Sequence, residues 1–211
     1  MTQSPKQFWQ WFEQNNKTYL FLYEVGAEKK EQLLNNLMEQ LHEYCENLWF
    51  EIGGHPDEEQ ELIITAEGNA DYFERVEALI SAAPKIPNWT FIAFIPPRDI
   101  EFEIKYEEVE LKPSEMWFEP LEHPDYPAAI GIKVFTRNYE LVKDSEWLRP
   151  AVYKILDTIL GEKSFAIDIE HVAIDQLPDG PDEEGLIELS ALPTYIEWKK
   201  SKQADRTESS A

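Results

Sequence analysis

The sequence predicts an α+β protein: two strand–strand–helix–strand units forming mixed sheets covered by helices, entered through an N-terminal helical segment. Three observations carry this reading. Apolar residues recur at helical spacing in separate stretches, they alternate at period two in others, and one nine-residue pattern occurs twice in strand-like surroundings.

The repeated pattern is Trp49-Phe50-Glu51-x-x-x-His55-Pro56-Asp57, echoed by Trp117-Phe118-Glu119-x-x-x-His123-Pro124-Asp125. Six of nine positions match at a constant offset, 117 − 49 = 68 and 123 − 55 = 68. Each copy is followed by a strand (Leu62-Ile63-Ile64 or Ile130-Gly131-Ile132), then a helix, then a strand with an aromatic near its start, Trp89 or Phe165. Residues 1–97 are therefore expected to hold the N-terminal helices and first unit, and 98–200 the second unit with its last strand and short helix. Residues 201–211 are expected to be a disordered tail, and the halves are free to pack as one domain.

Ser4-Pro5 opens the first helix, with Ser as N-cap and Pro where its missing N–H costs nothing. Phe8, Trp11 and Phe12 make its apolar face, and Trp9 lies off that stripe. From about Glu28 to Glu46, Leu33, Leu34, Leu37, Met38, Leu41 and Cys45 form the stripe of a second helix, with Cys45 as a small core residue. Leu48–Ile52 and Glu61–Ala66 read as strands joined through Gly53-Gly54. Asp71-x-x-Glu74 is a capping box for a helix that Pro84 and Pro87 close. Trp89–Ile95 is apolar on both faces, which marks a central strand.

Glu101–Tyr106 alternates cleanly, with Phe102, Ile104 and Tyr106 inward; Val109 and Leu111 continue the pattern. Met116–Phe118 and Ile130–Thr136 follow as strands, and Ser145–Leu160 as a helix with Pro150 in its first turn and Gly161 at its end. Ser164–Ile174 reads as a long strand. A short strand near Leu186–Ala191 and a brief helix opened by Pro193 complete the fold.

Lys and Arg number 19 against 42 Asp and Glu, a formal charge of −23. That field repels phosphate backbones and anionic lipid, which argues against nucleic-acid and membrane-surface binding, and it attracts a basic protein or a cation. High charge also serves solubility alone. Cys45 is the single cysteine, so no intramolecular disulfide forms. No apolar h-region or long apolar run occurs, and a cytoplasmic location is expected.

Three sets of residues are candidates for chemistry. A His and an Asp two positions apart can reach one cation, so His55, Asp57, His123 and Asp125 are candidate ligands for a divalent metal; the simpler reading is ordinary Pro-Asp turn chemistry with exposed His. Arg98, in Pro96-Pro97-Arg98-Asp99 after the strand read as central, is placed to clamp an anion or to pair with neighbouring carboxylates. The outward row Glu101, Glu103, Glu107, Glu108 and Glu110 suits a cationic partner or plain solvation. Trp9 and Trp117 are the aromatics available to anchor such a partner. Gly-rich phosphate loops, CxxC, HExxH and GxSxG are absent, and no catalytic residue is assigned.

The run Val76-Glu77-Ala78-Leu79-Ile80-Ser81-Ala82-Ala83-Pro84-Lys85-Ile86-Pro87-Asn88-Trp89-Thr90-Phe91-Ile92-Ala93-Phe94-Ile95-Pro96-Pro97-Arg98 resembles a segment of a family of uncharacterised bacterial proteins. The resemblance implies a stand-alone bacterial cytosolic protein and brings no activity or site residue. The expected function is a non-enzymatic acidic binding protein for a basic partner, of inhibitor or immunity type. The alternative is a metal-dependent hydrolase on the two His-Pro-Asp loops, with Glu51 or Glu119 as base.

Overall fold

A computed structural model describes residues 3–54, 59–122, 126 and 129–208, with 203–208 as backbone only. The chain divides into two compact units, Met1–Ile95 and Pro96–Ala211. Both combine helices with mixed sheet, the α+β class that the sequence predicts.

In the first unit, helix α1 (Pro5–Asn15) starts where Ser4 is extended (φ −84°, ψ 157°), and the Ser4 N–H donates to the Gln7 side chain at 2.9 Å. Phe8 and Phe12 are fully buried, each contributing on the order of 1.5–3 kcal/mol. Trp9 departs from expectation. It is 2% exposed, its indole N–H donates to the Leu79 carbonyl at 2.6 Å, and its ring lies 4.4 Å from that of Phe91. The helix is embedded between a neighbouring helix and the sheet, so its buried arc is wider than the stripe and Trp9 falls inside it.

Helix α2 (Ala27–Tyr44) buries Leu33, Leu37, Leu41 and Tyr44. Cys45 sits just past its end as the C-cap and is half-buried. Strands β1 (Trp49–Gly53) and β2 (Gln60–Thr65) pair antiparallel. Helix α3 (Phe73–Ser81) follows a 3₁₀ turn whose cap is Asn69, accepting from the Asp71 N–H at 3.2 Å, so the start lies two residues before the expected box. Strand β3 (Trp89–Ala93) then pairs parallel to β2.

The sheet order β1-β2-β3 makes β2 central and corrects the reading of Trp89–Ile95. Its two-sided apolar pattern has another cause. Trp89 and Phe91 pack on Phe12 of α1, while Phe94 leaves the strand at φ 68° and folds onto Phe73 of α3. The strand buried on both sides is β2, through Leu62, Ile63 and Ile64.

In the second unit the alternating stretch from Glu101 is a short hairpin. Strand β4 (Ile104–Tyr106) turns at Glu107 (φ 49°) and pairs with β5 (Val109–Leu111). Phe102 and Ile104 pack on the core, whereas Tyr106 is exposed. Strand β6 (Trp117–Leu121) pairs antiparallel with β7 (Gly131–Thr136). After the single turn α4 (Tyr139–Val142), helix α5 (Leu148–Leu160) covers the sheet, with Pro150 in its first turn.

Ser164–Ile174 is not one strand. Gly161, at φ 75°, ends α5 and leads into helix α6 (Glu162–Asp168); strand β8 (His171–Gln176) follows. Phe165, Ile167 and Ile169 mimic period two, but Phe165 and Ile169 pack on the core four residues apart while Ile167 is 52% exposed. Strand β9 (Ile187–Glu188) completes the order β8-β7-β6-β9. The last helix, α7 (Leu192–Glu208), is longer than expected and takes in residues 201–208 of the segment read as a disordered tail. Lys200 ties it to Asp168 of α6 at 2.9 Å.

Both units carry the same directions: an antiparallel hairpin, helix, and a strand parallel to the second. Trp49 and Trp117 open matching strands. On the central strands Ile63, opposite Glu51, corresponds to Lys133, opposite Glu119, so the offset there is 133 − 63 = 70.

Candidate functional site

The candidate site lies in the first unit, between α2 and β1. In the order β1-β2-β3, strand β1 has no second neighbour among the described residues, so one row of its N–H and C=O groups is unpaired with any strand. A groove of about 810 Å³ runs along it, lined on the helix side by Lys30, Leu34, Asn35 and Met38 and on the strand side by Trp49, Phe50, Ile52 and Gly53. Leu22 and Tyr23 contribute from the segment before α2, and Gly54 and Gln60 from beyond β1.

Strand side chains alternate between faces, yet Trp49 and Phe50 both line this groove. It therefore follows the strand's edge, where both faces are reached. Its floor is largely apolar. Trp49 is 39% exposed and Tyr23 54%, with Phe21 and Tyr23 in ring contact at 6.5 Å.

Local interactions hold the strand against the helix. His42, on the face of α2 that carries Met38, lies with Nε2 3.1 Å from the Leu48 carbonyl and its ring edge-on to Trp49 at 5.4 Å. A carbonyl only accepts, so Nε2 carries the hydrogen. Gly54 is required at the far end. Its φ is 99°, and a Cβ there would stand 2.7 Å from the Glu59 carbonyl oxygen.

Sequence reasoning placed Leu34 and Met38 in the core and did not separate them from Leu33 and Leu37. The signal was present: the apolar stripe of α2 is wider than one buried line needs. The surplus positions, Leu34 and Met38, are half-buried and face the groove.

No family model, curated protein or solved structure matches this chain.

The residues singled out from sequence are distributed differently. His55, Asp57, His123 and Asp125 lie outside the described residues; among the described residues no group of three or more His, Cys, Asp or Glu is placed to hold a metal. Glu119 is tied to Lys133 at 2.9 Å, and this hydrogen bond holds the Lys133 ammonium above its ordinary pKa. Arg98 is exposed, and its backbone N–H donates to Thr158 of α5 at 2.8 Å.

Glu101, Glu103 and Glu107 are exposed on the β4–β5 segment. Glu103 shares a hydrogen bond with Glu110 that raises its carboxyl pKa, and Glu110 also meets Lys105 at 3.4 Å. Trp117 is half-buried and packs on Phe135, Leu177 and Leu186. With Trp9 buried, the exposed groove tryptophan is Trp49, the counterpart of Trp117 in the repeat.

Across the described residues, no helix is long and apolar enough to cross a membrane.

Proposed function

We propose that this is a non-enzymatic binding protein whose first unit takes up an extended segment of a basic partner by strand addition to β1. The observation that supports the reading is the coincidence of a sheet edge that no second strand pairs among the described residues with an apolar groove along it. In such recognition the strand's main chain provides hydrogen bonds indifferent to sequence, and neighbouring side chains provide selectivity. The edge strand carries no Pro or Lys, the residues that commonly guard exposed edges.

Charge selects the kind of occupant. A formal charge of −23 steers a cationic partner in and repels a second copy of the same chain. A role in sequestering a basic protein, as an inhibitor or immunity-type partner does, follows from that chemistry.

The test is selection of peptides from a displayed random library on the full chain, followed by affinity measurement against Leu34→Arg. Selected peptides rich in basic residues, weakened about tenfold or more by the substitution, are the expected result. Binders indifferent to Leu34→Arg, or no binders, would overturn the reading.

A further inference from the structure

We infer that the segment bound at β1 runs antiparallel to it and alternates apolar with basic residues, a basic side chain meeting Glu61 across Gly53. The inference rests on the strand-addition reading above. Its template lies in the second unit. There the start of β6's outer edge is occupied: β9 pairs antiparallel with it over two residues, Ile187 opposite Phe118 and Glu188 opposite Trp117. Strand β1 opens with the same Trp-Phe-Glu and pairs in the same direction with its central strand. An apolar residue opposite Phe50 then takes the place that Ile187 takes opposite Phe118, and faces the side that Leu34 and Met38 line.

The intervening residues of the added strand point to the face of Glu51 and Gly53. Gly53 leaves a notch there, and Glu61 on β2 leans over it, an oxygen of its carboxylate 3.3 Å from where a Gly53 Cβ would stand. Neighbouring strands lie about 4.8 Å apart, so the residue opposite Gly53 on an added strand starts about 10 Å from Glu61. A Lys or Arg side chain spans that distance over a glycine. In the second unit the matching pair is Leu121 opposite Gly131, which puts no carboxylate at the edge.

The experiment titrates the full chain, observed by amide NMR, with three synthetic peptides of about ten residues in which Ile alternates with Lys, Thr or Glu. The Ile/Lys peptide should bind most tightly. Glu61→Lys should weaken it about fivefold relative to Ile/Thr, whereas Glu13→Lys, the same charge change on α1, should not. A nitroxide on the peptide's N-terminus should broaden the Gly53 and Gly54 amides, and one on its C-terminus the Trp49 amide.

Binding that is lost in Leu34→Arg but shows no selective effect of Glu61→Lys, or the reverse broadening, would sink this inference and leave strand addition standing. Failure of all three peptides to shift β1 amides would overturn both.

Discussion

Ile187 lies opposite Phe118 across the outer edge of β6, whereas Phe50, at the matching position of β1, faces the open groove. The same motif is therefore closed in one unit and open in the other. In the closed unit β9 is part of the core: Ile187 packs on it, and Leu189 and Leu192 just beyond are fully buried. Ile187→Ala should cost about 1–2 kcal/mol, below the roughly 2–5 kcal/mol of a core aliphatic truncation because Ile187 is only partly buried. Urea denaturation of the variant checks this, and an unchanged midpoint would mean that β9 adds nothing to the edge it covers.

Trp9 joins α1 to α3 through its indole N–H, at 2.6 Å from the Leu79 carbonyl. Trp9→Phe keeps most of the apolar contact and removes the donor, so a loss of about 1–2.5 kcal/mol is expected; Trp9→Ala should lose about 3–5 kcal/mol. Equal losses in the two variants, measured by denaturation, would show that the hydrogen bond carries no weight.

Much of the architecture was readable because long-period patterns survive tertiary context. The stripe of α2, the strand read at Ile130–Thr136 and the two Trp-Phe-Glu segments all emerge as elements. The failures share a cause: a one-dimensional pattern does not say what lies on the other side. Phe165, Ile167 and Ile169 read as a strand until Gly161 starts a new helix and leaves Ile167 in solvent. Trp9 reads as off-stripe until α3 covers it. The groove was least legible. Whether β1 or β6 keeps a free edge depends on β9, which pairs with Trp117 and Phe118 from about seventy residues away, and nothing local to either Trp-Phe-Glu records it.

Gly54 combines a left-handed backbone with crowding. At φ 99°, an alanine Cβ would be strained and would stand 2.7 Å from the Glu59 oxygen and 3.0 Å from the Gln60 Cα, both backbone atoms. Gly54→Ala should therefore destabilise the first unit by about 1–3 kcal/mol. Gly53, in the neighbouring strand, meets only the Glu61 side chain, and Gly53→Ala should be milder. Thermal unfolding of the two variants ranks them; the reverse order would contradict the turn geometry.

Glu103 and Glu110 hydrogen-bond to each other on the exposed face of the β4–β5 hairpin, which needs one proton between them. That bond raises Glu103 above its ordinary value of 4.5, with the Glu110 charge adding to it. The same bond, followed by that from Lys105, lowers Glu110. A carboxyl raised on folding contributes stability that is present below its unfolded pKa and lost as pH rises through its folded one. Glu110, being lowered, contributes above its unfolded pKa and loses that contribution as pH falls through its folded value. As pH rises through the raised Glu103 value its proton is lost, and the pair becomes two like charges. Glu103→Gln keeps a donor toward Glu110 at every pH, so it should raise the unfolding temperature at neutral pH and leave it nearly unchanged around pH 4. A difference that stays constant across that interval would show that the two carboxyls do not share a proton.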